Sequence, residues 1–113
     1  VGANFSHPES TIRHYWRQLI KKDYKEALRC FVNFSEDQFL EKDILPLPDI
    51  DSLTVDTIIL KKVINKKRVE IYYRVLYYSK KDKFKKYLIT GDRLILTRGG
   101  WKIKDVLIPT QYR

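Results

Sequence analysis

A single cysteine, Cys30, excludes an internal disulfide and any metal site built on paired cysteines. There is no methionine, and no apolar run nears the roughly 20 residues that a membrane-crossing helix needs. No glycine-rich phosphate loop occurs, and no Ser-His-Asp ordering is legible. His7 and His14 have no second histidine or carboxylate at ligand spacing, so no metal is expected and both read as surface residues. Asp49 and Asp51 lack the glycine and distal glutamate of a calcium loop. None of these motifs implies a cofactor. A chain starting at Val1 is expected to be a processed or trimmed form whose removed part could have carried a targeting segment.

What is present is 113 residues, expected to form one domain over 1–113 with a single core. Hydrophobic residues make up 43% and charged residues 33%, the mixture of a globular domain. The net charge of +9 is unevenly placed. Residues 1–60 hold seven Lys/Arg against ten Asp/Glu, whereas residues 61–104 hold fifteen against three, a surplus of +12. Such asymmetry is expected to give weak attraction to an anionic partner. The plainer reading is that lysine-rich strands stay soluble and resist edge pairing.

The first third has helical spacing. Ser6 and Glu9 have capping-box spacing and Pro8 suits a first turn. Ile12, Tyr15, Trp16, Leu19 and Ile20 then form one apolar stripe. Asp23 can cap a second helix that turns Ala27, Leu28 and Phe31 inward, where Cys30 reads as a small buried hydrophobe. A third short helix is expected from Ser35. The prolines of "DILPLPDIDS" (43–52) predict an extended connector.

The rest predicts strands over 53–64, 68–79, 84–97 and 101–108. In 68–79, Val69, Ile71, Tyr73, Val75 and Tyr77 share one face and Glu70, Tyr72, Arg74, Leu76 and Tyr78 the other. Gly91-Asp92 suggests a bulge, and Gly99-Gly100 a tight hairpin. Helices followed by an antiparallel meander predict an α+β domain with helices on one sheet face.

Two motifs carry a family likeness. In "KKDYKEALRCF", Asp23, Tyr24, Ala27 and Leu28 match a helix-to-helix step, and in "GGWKIKDV", Gly100, Trp101, Lys102, Ile103 and Asp105 match a final hairpin. Over residues 6–108 the chain resembles the nuclear-transport-factor-2-like (cystatin-like cone) superfamily, in particular its branch of exported bacterial proteins and lipoproteins. The resemblance implies a strongly curved sheet closed around the first helix as a cone, with Trp101 and Ile103 covering the core and Tyr24 fixing the helix corner. It also implies an exported or cell-envelope location. The superfamily includes isomerase-like enzymes, secretion-system subunits and interaction domains, and its members often dimerise through the sheet face.

An isomerase-like site needs a general base and an oxyanion donor that both point into the cone. Asp56 is the one strand acid expected to do so, and Tyr15, Trp16, Asp56 and Tyr73 form the candidate ligand pocket. Glu70 is expected outward and Asp92 at the bulge. Tyrosines among lysines allow a third reading, a binder of nucleic acid or another anionic polymer, but no nucleic-acid motif accompanies them and no specific nucleic acid is expected. With no base-donor pair in view, no residue is assigned a catalytic role. The favoured expectation is a non-catalytic binding or protein-interaction domain. Its docking face would be Tyr72, Arg74, Leu76 and Tyr78, with a second copy of the chain as one candidate partner.

Overall fold

Two helices precede four antiparallel strands in the fold, seen in a computed structural model that describes residues 5–32, 50–81 and 83–107. The expected third helix from Ser35 and most of the 43–52 connector lie outside the described residues; Ile50 already belongs to a strand.

Helix α1, Pro8–Ile20, starts with proline where no backbone N–H is needed. The expected Ser6 cap gives way to His7, whose carbonyl accepts the N–H groups of Ser10 and Thr11 at 3.1 and 3.2 Å. Glu9 reaches Lys61 instead, at 3.1 Å. The apolar stripe is inward as its spacing predicts: Ile12, Tyr15, Trp16 and Leu19 are all buried. The helix ends because Lys22 turns left-handed at φ 62°. Its N–H then meets the Leu19 carbonyl and that of Asp23 the Gln18 carbonyl, both at 3.0 Å. Asp23 caps α2, Tyr24–Leu28, accepting the Glu26 N–H at 3.2 Å. Ala27 and Leu28 face in, and Tyr24, expected at the helix corner, is 41% exposed.

The strands are β1 (Ile50–Asn65), β2 (Arg68–Ser79), β3 (Phe84–Thr97) and β4 (Gly100–Leu107), in that order across one open sheet. Strand alternation decides which residues meet the helices. Val69, Ile71, Tyr73 and Val75 of β2, Leu94 of β3 and Ile103 of β4 are buried with the α1 stripe. Each such side chain, fully buried, stabilises the fold by roughly 1.5–3 kcal/mol. Trp101, expected in the core, is half-buried against its margin.

Five register slips interrupt the sheet. Strand β1 slips register against β2 at four places, between Ile50 and Ser52, Val55 and Thr57, Ile58 and Leu60, and Val63 and Asn65. Each extra residue kinks and twists the strand. The bulge expected at Gly91-Asp92 is absent, since Gly91 and Asp92 face Tyr72 and Ile71 in unbroken register. The slip is on the other side, where Arg93 faces Asp105 but Leu94 faces Ile103, leaving Lys104 as the extra residue.

The free edge of β4 is covered. Trp101 donates its N–H to the Phe5 carbonyl at 2.8 Å, and Ile103 donates to Cys30 at 2.7 Å. Val32 returns a bond to Ile103 at 2.9 Å. Gly100 is required here: its φ is 103°, and a Cβ would come within 2.5 Å of the Phe5 backbone. Lys102 lies over the Phe5 ring at 3.3 Å and donates to the Arg29 carbonyl at 2.7 Å, and this burial pulls its pKa below the ordinary lysine value.

Candidate functional site

Helix α1 and strand β2 bring Tyr15, Trp16 and Tyr73 together, as their inward positions predict. The ring of Tyr15 meets Trp16 edge-on at 5.3 Å, and Trp16 meets Tyr73 in the same way at 6.5 Å. Trp16 Nε1 donates to the Tyr73 hydroxyl at 2.8 Å, and that hydroxyl donates to Asp92 Oδ2 at 2.6 Å. A polar chain therefore crosses from helix to β2 to β3 inside the core. Tyr73 and Asp92 are both wholly buried. Burial, then the adjacent Asp92 charge, pushes the Tyr73 phenol well above its ordinary pKa. Tyr73 is thus held neutral as a donor aimed at a carboxylate.

Asp56 stands apart from this group. It sits at the β1 slip between Val55 and Thr57, where it accepts from the Thr57 hydroxyl at 2.7 Å and from the Arg74 guanidinium. Those bonds, the Thr57 one first, hold its carboxyl below the ordinary value. The acid that lies with Tyr73 is Asp92, and a countable signal leads to it. The β2–β3 hairpin pairs Ser79 with Phe84, so stepping back along both strands puts Asp92 opposite Ile71, on the inward face.

His14 corrects another expectation. It is buried rather than at the surface, with Nε2 3.2 Å from Glu26 Oε1 and its ring edge-on to Phe5 at 5.8 Å. His7 is exposed. Among the described residues no group of three or more His, Cys, Asp or Glu is placed to hold a metal ion. Among them, too, no helix is long and apolar enough to cross a membrane.

The other sheet face carries the remaining candidates. Tyr72 shares it with Arg74, Leu76 and Tyr78 but is buried, 3% exposed, rather than available for docking. Its ring lies across Gly91, where a Cβ would come within 2.7 Å of Tyr72 Cδ1. Arg74, Leu76 and Tyr78 are half-buried. On the same face Tyr87 of β3, paired across the strands with Leu76, is 64% exposed. Thr54, Leu76, Tyr78 and Lys85 border a shallow hollow of about 180 Å³. Glu70 is outward as expected and is bound by Arg93 at 3.1 Å, while Arg93 also holds Asp105 at 3.0 Å.

A second cleft, of about 120 Å³, separates the C-terminal half of α1 from the start of β1. Arg13 and Arg17 line it with Trp16, Ile20 and the segment Leu53–Val55. No family model matches the chain, and no curated protein resembles it in sequence.

Proposed function

We propose that this chain is a non-catalytic binding domain that docks an acidic protein partner on the outer face of its sheet. One observation carries the reading. The helices cover the face of Ile71, Tyr73 and Val75, while the opposite face keeps Tyr87 open across from Leu76, which with Tyr78 and Lys85 lines a hollow. An aromatic and aliphatic centre with cationic surroundings is the composition of an interface centre. The surplus of +12 over residues 61–104 favours a partner of opposite charge over a second copy, which would bring the same lysines. The groups suited to acid-base work, Tyr73 and Asp92, are instead bonded to each other within the core.

The fold identity belongs to the same proposal. Two short helices followed by a four-strand meander with repeated register slips support the nuclear-transport-factor-2-like resemblance of the Asp23–Leu28 and Gly100–Asp105 motifs. An exported or cell-envelope setting follows from that resemblance and is tested by fractionating cells that make the protein.

Acidic peptides bearing a leucine or phenylalanine provide the docking test. Binding should weaken with added salt and fall by about tenfold or more in Leu76→Asp or Tyr87→Ala. Equal binding by both variants would remove the face from consideration. Sedimentation showing a dimer that Leu76→Asp dissolves would make a second copy the occupant instead.

A further inference from the structure

The cleft between α1 and β1 has no part in the sheet-face reading and has its own chemistry. Arg13 and Arg17 stand one helical turn apart and so share a face of α1. Three other arginines are held by carboxylates, Arg29 by Glu26, Arg74 by Asp56, and Arg93 by Glu70 and Asp105, whereas Arg68 at the β1–β2 turn has no ion pair with a described residue and lines neither cleft. Arg13 and Arg17 both line the cleft and are exposed, and no described residue forms an ion pair with either. The carboxylate at the far end of the helix, Glu9, is engaged by Lys61. Two arginines therefore border one concave space with their charge unbalanced by any described carboxylate.

The remaining walls define what would sit between them. Thr54 adds a hydroxyl, and Ile20, Leu53 and Val55 are half-buried apolar surface. Trp16 forms the floor, its indole N–H already directed inward to Tyr73. Guanidinium groups match the planar, two-pronged geometry of carboxylate and phosphate oxygens, which a neutral ligand lacks. At about 120 Å³ the cleft is well below the roughly 300 Å³ at which drug-sized pockets begin.

We infer that this cleft binds a small organic anion, its carboxylate or phosphate head between Arg13 and Arg17 and a short apolar stem against Ile20, Leu53 and Val55. The inference goes beyond the docking proposal and stands without it. The ligand would touch Trp16, one of two tryptophans, so the Trp101→Phe protein reports on the cleft by its remaining fluorescence.

The experiment titrates that protein with butanoate, with butyl phosphate, with butanol and with sodium chloride at matched ionic strength. A saturating change with butanoate or butyl phosphate, but not with butanol or chloride, is the expected result, and whichever anion is tighter identifies the head group. Arg13→Gln and Arg17→Gln should each weaken binding about tenfold, the loss of one charge-assisted contact. Arg68→Gln, at the opposite end of the β1–β2 hairpin from Leu53–Val55, should leave it unchanged. Equal responses to chloride, no saturation with either organic anion, or indifference to both cleft substitutions would each overturn the inference. Circular dichroism of every variant shows that the helices remain, so a lost signal is a lost site rather than a lost fold.

Discussion

The hydroxyl of Tyr73 donates to Asp92 while accepting from Trp16, so one oxygen joins a helix to two strands. Tyr73→Phe deletes that oxygen, removing one hydrogen bond from the buried Asp92 and the acceptor of the buried Trp16 indole N–H. Burying an N–H whose acceptor has gone costs more than the bond itself was worth, so the expected loss is about 1–3 kcal/mol. Urea unfolding of the two proteins measures it. A change below about 0.5 kcal/mol, typical of a surface substitution, would show that the core does not depend on this oxygen.

The same tyrosine gives an alkaline signature. Its folded pKa is raised, chiefly by burial, whereas in the unfolded chain it ionises near pH 10. Its contribution is therefore complete below about pH 10 and is lost as pH rises from there toward the folded pKa, because unfolding then releases a proton. Wild-type stability should fall more steeply than that of Tyr73→Phe between about pH 9 and 11. Parallel curves would mean that Tyr73 titrates alike in both states.

Tyr72 and Gly91 form a cross-strand pair in which one ring occupies the space the other leaves open. Gly91→Ala places a methyl 2.7 Å from Tyr72 Cδ1 and should cost about 1–3 kcal/mol through displacement of the ring. Added to Tyr72→Ala, the same substitution should cost much less. A double-mutant cycle reads the coupling, and strict additivity would place the Tyr72 ring elsewhere.

Lys22 holds a left-handed conformation that a side chain disfavours by roughly 1–2 kcal/mol. Lys22→Gly should therefore raise stability by up to about 1 kcal/mol, after the greater freedom of glycine in the unfolded chain is deducted. The melting temperature reports the sign, and a fall would mean that the lysine side chain contributes something the turn geometry does not require.

How far the residues foretold this arrangement depended on whether counting could reach them. Helix α1, the Asp23 cap and the inward face of β2 follow from periods of 3.6 and 2 that nothing interrupts. Asp56 lies on a strand that slips four times, so alternation counted along β1 loses the face within a few residues. Asp92 was obscured by its glycine neighbour, which suggests a bulge where the β2–β3 register in fact runs straight. Alternation put Tyr72 on the correct face but could not give its depth, because counting along one strand does not see the neighbours across it, such as Gly91. The α1–β1 cleft involves two segments more than thirty residues apart, and no local pattern brings Arg13 to Thr54.

The backbone bonds from Phe5 and Cys30 to β4 have a consequence for how the molecule is made. A chain emerges from the ribosome in order, and here the earliest described residues wait for the last strand before their edge partners exist. The β2 residues of the core precede Trp101 and Ile103 in the chain, so they are available to the helices first. Such distant pairing delays closure, since the loop entropy is lost before the contact compensates. Until β4 emerges, the β3 edge and the Ile103 site in the core stand open, and a nascent chain is most exposed to misassociation. Synthesis that stalls between Thr97 and Leu107 would therefore release a chain with its apolar face formed and its final seam unsealed.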